Sequence, residues 1–190
     1  MFWLNNSNER QLAFGVGSWM QRVFFSVKAL SRWIEQRMGV ADVNKTLWNN
    51  LVPRKVNAFV WRALNRRLPV RIELDKKGID LDTLLCPGCD NVVESLDHCL
   101  VLCENVINVW DMIFAWWGVG LTDVFTVKEL LCHKGKSSMG KESRLLWQTT
   151  IWVAAYFVWK NRNNQVFKWK SKNSSRLFNE IQQKTLSGYT

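Results

Sequence analysis

The sequence predicts a mainly α fold: a small helical domain organised around one cluster of cysteine and histidine, with a long apolar helix toward its C-terminus. Three observations carry that prediction. Only three prolines and ten glycines occur in 190 residues, so little interrupts long helices. Apolar residues recur at three- and four-residue spacing in successive segments, whereas no alternating pattern of useful length marks a strand. Four of the five cysteines and one of the two histidines fall between Cys86 and Cys103.

The elements follow in order. "FFSVKALSRWIEQR", Phe24 to Arg37, spaces Val27, Leu30 and Trp33 or Ile34 along one face after Ser26 as a cap, which predicts a short amphipathic helix. In "NKTLWNNLVPRKVNAFVWRALNRRLPVRIELDKKGI", Pro53 breaks a first helix and opens a second. There Val56, Phe59, Val60, Ala63 and Leu64 form an apolar stripe, with Arg54, Lys55, Arg62, Arg66 and Arg67 largely off it. Trp61 is placed in the core in preference to a base-stacking platform, because the stripe around it is apolar and large rings bury the most area. Pro69 restarts the chain into a short helix that stops near Lys77 and Gly78. "ENVINVWDMIFAWWG" is a helix closed by Gly118, "TDVFTVKELLCHK" a weaker one, and "GKSSMGK" a loop. A long helix runs from about Glu142 to Lys170, and Ser174 to Lys184 is a further one.

Composition bounds the function. With 47% hydrophobic residues, twelve tryptophans and ten phenylalanines, the chain can bury a substantial core. Its start lacks the apolar run and small-residue cleavage site of a signal peptide, so an intracellular location, nuclear or cytoplasmic, is expected and secretion is not. The most apolar stretch, Leu145 to Trp159, is shorter than the ~20 residues that a bilayer span needs, so it reads as a buried helix and no membrane partner is expected. Charge is uneven. Before Leu85 fourteen Lys/Arg face seven Asp/Glu; from Leu85 to His133 one faces seven; from Lys134 onward eleven face two. A polyanion would meet the two basic flanks, where Lys and Arg replace its condensed counterions.

Cys86-x2-Cys89 is the short loop that lets two thiolates close on one tetrahedral ion, and Pro87 and Gly88 bend it tightly. His98 and Cys103 complete a Cys3His set suited to Zn²⁺, one structural ion with four protein ligands. Five residues along a straight α-helix turn the chain by roughly 500°, so His98 and Cys103 would not share a face, and a bend between them is required. Cys99 is kept as a small buried thiol. Two alternatives stand beside this reading: five thiols that are merely core residues, and a Cys132–His133 pair that caps the site from a distance. Disulfides are disfavoured by the odd cysteine count in a chain with no secretion signal. Glu94 lies between the ligand pairs, but the H-x-E spacing of zinc deaminases is absent. No carboxylate set for two-metal polymerase or nuclease chemistry, no phosphate loop and no nucleophile elbow is present. No enzymatic activity and no small-molecule substrate are therefore expected.

Several of these residues together resemble a known family. Pro53, Lys55, Val56, Phe59, Trp61 and Arg62, the Leu68-Pro69 turn with Leu74, the C-x2-C pair, the Glu94-Ser95-x2-His98 step, Cys103 and Trp110 are similar to the zinc-binding domain downstream of the polymerase in plant LINE-type (non-LTR) reverse transcriptases. The tail, with Trp159, Lys160, Arg162, Asn163 and Phe167, resembles the ending of such polyproteins. The resemblance implies that Cys86, Cys89, His98 and Cys103 hold the zinc, and that the chain is a C-terminal piece or remnant of a retroelement. The organisation it implies is a lead-in over 1–24, the zinc-binding domain over 25–119, a weak helix and linker over 120–141, and a helical tail over 142–190.

Two functions compete. In the first, the module binds RNA or single-stranded DNA, with Arg54, Lys55, Arg62, Arg66, Arg67 and Arg71 on phosphates and little sequence readout. In the second, it docks on a neighbouring reverse transcriptase through its acidic middle, with tryptophans as anchors.

Overall fold

The computed structural model describes residues 48–120, 124–168, 170 and 172–187. The helix expected over Phe24 to Arg37 and the lead-in over 1–24 lie outside the described residues. Among those described, the fold is helical, and the only β pairing is an isolated antiparallel bridge between Leu85 and Val93.

The chain passes through a turn at Asn50–Leu51 into α1, Arg54–Leu64. No helix precedes Pro53 from Trp48 onward, because this stretch is pinned by side chains instead. The backbone N–H and C=O of Asn49 bond to the Asn57 amide at 3.0 and 2.9 Å, and the Asn49 Nδ2 donates to Thr149 Oγ1 at 2.9 Å. Burying Asn57 on the stripe of α1 is tolerable only because its amide is matched in this way. Val56, Phe59, Val60 and Ala63 are buried as their spacing predicts, with Leu64 at the margin. Trp61 departs from expectation. It is 38% exposed, because seven residues after Arg54 place it on the solvent side of the helix, with Arg54, Ala58 and Arg62.

Pro69 precedes α2, Arg71–Asp75, and Gly78 takes φ +75° to end the turn that follows. The Cys-rich segment then leads into α3, Glu104–Trp116, whose Val109, Trp110, Ile113 and Phe114 are buried. α4, Val127–Leu131, is only five residues long but carries a capping box between Thr126 and Glu129. The indole N–H groups of Trp152 and Trp147 donate to Leu131 O and His133 O at 3.1 and 2.9 Å, which satisfies carbonyls at the end of this short helix.

α5, Lys141–Lys168, is the spine of the core, and α6, Ser174–Leu186, folds back against it and against α3. Trp147 and Ile151 to Ala155 are buried on every side, as expected of a central helix. Thr149 and Thr150 enter this interior by bonding their hydroxyls to Leu145 O and Leu146 O, at 2.9 and 3.0 Å. The expected long apolar helix is thus apolar only in its middle. Its ends are polar, and no helix among the described residues is long and apolar enough to cross a membrane.

One buried ion pair ties α5 to the Cys-rich segment. Arg162 donates from Nε to Glu94 Oε1 at 2.6 Å and from Nη2 to Oε2 at 2.5 Å, with Glu94 fully buried and Arg162 nearly so. Cutting one partner leaves an uncompensated buried charge, which costs about 3–5 kcal/mol. Arg162→Ala is therefore expected to lower the denaturant midpoint by an amount corresponding to that loss, while Arg176→Ala, at an exposed position of α6, leaves it within about 0.5 kcal/mol. Equal midpoints for the two variants would show that the pair is not what joins these parts.

Candidate metal centre

Cys86, Cys89, His98 and Cys103 converge, with their ligand atoms all within 4.8 Å of one another. Each is placed by a local device. Cys86 N–H bonds to Val92 O at 2.7 Å and Glu94 N–H to Leu84 O at 2.8 Å, so the two ends of the Cys86–Val92 loop are clamped side by side. Inside the loop Asp90 N–H bonds back to Cys86 O at 2.8 Å, and Asp90 takes φ +52°, a left-handed turn that Asp tolerates better than most residues. Gly88 donates its N–H to Cys86 Sγ at 3.4 Å. A Cβ on Gly88 would meet Cys103 Sγ at 3.3 Å and Cys86 Sγ at 3.5 Å, so a side chain here would crowd two of the four donors.

The bend required between His98 and Cys103 is a π-helical turn, His98–Leu102. Its Cys103 N–H bonds to His98 O at 2.8 Å, an i→i+5 bond that brings residues five apart over one another. An α-turn would have sent them to different faces. Ser95 Oγ accepts from His98 N–H at 3.0 Å and starts the turn, and the Trp110 indole donates to Leu100 O at 2.9 Å within it. Cys103 then has extended dihedrals at the N-cap of α3, with its sulfur turned inward.

The donors fit a tetrahedral zinc ion. Cys86 Sγ and Cys103 Sγ are 4.0 Å apart and Cys89 Sγ and His98 Nε2 are 3.4 Å apart. Zn–S bonds of about 2.3 Å and Zn–N bonds of about 2.0–2.1 Å give tetrahedral edges of roughly 3.5–3.8 Å. Cys86 holds its proton against the Cys103 sulfur. That bond, aided by burial, raises the Cys86 thiol well above the ordinary thiol range, and it lowers the Cys103 thiol, so Cys103 ionises first. Burial lowers the His98 imidazole below its ordinary value, against the opposing pull of Glu94, which leaves the ring neutral and able to ligate near pH 7.

Other residues singled out from the sequence fall elsewhere. Cys99 is buried, where desolvation raises its thiol strongly, and it is not among the four. Cys132 is exposed and His133 packs edge-on against Phe114 and Trp147, so neither joins the cluster. Arg71 was expected to face a phosphate, but its Nη1 donates to Leu85 O at 2.5 Å beside the metal loop. Arg66 pairs with Asp97 at 3.0 Å. Arg54, Lys55, Arg62 and Arg67 are exposed. Glu94 is a hub: its Oε2 also accepts from Arg71 N–H at 2.9 Å, and its backbone carbonyl from Ile72 N–H at 3.4 Å.

A protein-family model described as zinc-binding in reverse transcriptase, zf-RVT, matches residues 25–110. The match is to the zinc-binding domain and not to the catalytic polymerase domain. No curated protein and no solved structure matches the chain.

Two measurements check the centre. Elemental analysis of the purified chain is expected to give one zinc per molecule, and Cys86→Ser/Cys89→Ser to give none. Hydrogen exchange in the variant should accelerate over residues 84–103 first, because binding energy at such a site is folding energy. Full retention of protection there would remove the claim. Acid supplies the second. The lowered His98 value means that stability is complete above the ordinary 6.5 and is lost as pH falls through the depressed value. A zinc-sensitive dye should therefore report release once the pH is brought below the ordinary 6.5 and lowered further, and His98→Gln should release zinc already at neutral pH.

Proposed function

We propose that this chain, whose residues 25–110 are a reverse transcriptase zinc-binding domain, is a non-catalytic module that holds one structural zinc through Cys86, Cys89, His98 and Cys103 and binds single-stranded nucleic acid. The partition into 25–119, a linker over 120–141 and a helical tail over 142–190 belongs to the same proposal, as does descent from a LINE-type element of plants. One observation carries the binding reading: the solvent face of α1. Arg54, Lys55, Trp61 and Arg62 are all exposed there, and the Arg67 guanidinium lies 5.0 Å from the centroid of the Trp61 ring. An exposed indole among cations is the pairing that sequence-tolerant single-strand binding uses, since every base has a face to stack and every nucleotide a phosphate.

This reading divides the six basic residues into an exposed group around Trp61 and a pair beside the metal loop. Arg54, Lys55, Arg62 and Arg67 would take the phosphates. Arg66 is shared with Asp97, and Arg71 braces Leu85, so their substitution should act through the fold of the metal loop. The competing reading, docking on a polymerase through the acidic middle, predicts no dependence on the α1 face.

Fluorescence anisotropy with a mixed-sequence single-stranded RNA separates them. Trp61→Ala should weaken binding by about 1–3 kcal/mol, the usual cost of losing one stacked base. Arg62→Ala/Arg67→Ala should lower the slope of log affinity against log salt by about two. Zinc content should not change in either variant. Binding that ignores salt, or that survives loss of Trp61, Arg62 and Arg67 together, would exclude this face.

A further inference from the structure

Beside the metal loop lies a polar cleft of about 540 Å³, lined among others by Gly88, Asn161, Gln165, Lys172, Ser174 and Arg176. Its size is within the range of ordinary small-ligand sites. The walls are fixed by internal hydrogen bonds. Asn161 bonds through both amide atoms to the backbone of Lys172, at 3.3 and 2.9 Å. Ser174 Oγ donates to Asn105 O at 3.0 Å, and Asn105 Nδ2 donates to Gly88 O at 2.6 Å. The cleft and the C-x2-C loop therefore share a wall.

Three cations and no carboxylate line it. Arg162 is committed to Glu94 and Lys172 is paired with Glu180. Among the described residues, Arg176 has no ion-pair partner, and neither its guanidinium nor the Gln165 amide has a side-chain hydrogen bond. The cleft thus offers about one uncompensated positive charge together with amide donors and acceptors. Three thiolates and an imidazole around a divalent ion would leave one negative charge beyond Gly88, which disfavours any guest carrying more than one negative charge. We propose that this cleft binds a single phosphodiester of a nucleic-acid strand, with Arg176 and Gln165 as the recognising groups, as a second contact for the strand bound by α1. The proposal rests on the nucleic-acid reading above but places contact on a different element.

The zinc-loaded full chain is the material for the test. In a ¹H–¹⁵N NMR titration with the dinucleotide UpU, which carries one phosphodiester, the signals of Gly88, Gln165 and Arg176 should move together. Inorganic phosphate at equal concentration should move them less. Arg176→Glu should weaken binding of a 12-nucleotide single-stranded RNA about tenfold, as expected for a lost charged hydrogen bond. Gln165→Leu serves as a second variant should Arg176→Glu disturb α6, and zinc content and helicity by circular dichroism are followed in both. Unmoved signals with UpU, native affinity in both variants, or an equal response to inorganic phosphate would each overturn the proposal. If Trp61→Ala abolishes strand binding and Arg176→Glu does nothing, the α1 face is right and the cleft is wrong. If UpU moves the cleft signals and Trp61→Ala has no effect, the cleft stands and the α1 face falls.

Discussion

The pairing of Glu94 with Arg162 is the constraint on which the rest of the structure depends. Removing two charges from water is expensive, and only a geometry that meets every lone pair and proton offsets the cost. Here the carboxylate is gripped by two guanidinium N–H groups and by the backbone N–H of Arg71, while the guanidinium also lies 4.9 Å from the Trp159 ring centroid and bonds Asn163 Oδ1 at 3.1 Å. An apolar pair could fill the same space, but it could slide. A bidentate ion pair has one register, so it sets where α5 lies against the metal loop as well as holding it there.

That register reaches the metal ligands through a short stretch of backbone. Glu94 begins the step that Ser95 continues by accepting the His98 N–H, and His98 opens the π turn that ends at Cys103. Five-residue spacing, a problem for a straight α-helix, is what an i→i+5 turn accommodates. π turns are rare because they loosen the helical hydrogen-bond pattern, and Trp110 compensates by donating to Leu100 O inside the turn.

Much of this was legible in the sequence, and the reasons differ by residue. The four-residue cluster was legible because ligand spacing is local: a C-x2-C loop and a His–Cys pair five apart announce both a site and the need for a bend. α1, α3 and α5 were legible from apolar periodicity, although that period also placed Trp61 at the edge of a stripe, where ring size decided wrongly for the core. Its position relative to Arg54 and Arg62 was the better signal. The Glu94–Arg162 pair was not legible, since two residues 68 apart carry no periodicity. Each belongs to a separate motif, one before His98 and one in the tail, and nothing in a single sequence says that two motifs touch. The family match ends at residue 110, short of Arg162 as well.

The need for both a metal centre and a buried ion pair follows from how the core is distributed. Apolar burial is dense from Val52 to Val70 and again from Leu96 onward. Between Val70 and Leu96 only Cys86 and Glu94 are fully buried, and Ile79, Leu85, Val92 and Val93 stand exposed. A segment of that length cannot offset its ordering entropy with so little buried area. It is held where a metal can cross-link Cys86 and Cys89 to His98 and Cys103, and where Glu94 can reach Arg162. Ligation and ion pairing thus do for this loop what the tryptophan-rich core does for the helices. The two act in series: the pair fixes the end of the loop from which His98 departs, and the ligands close the remainder upon it. That arrangement explains why a loop with almost no hydrophobic anchor carries Cys86, Cys89 and Glu94 together.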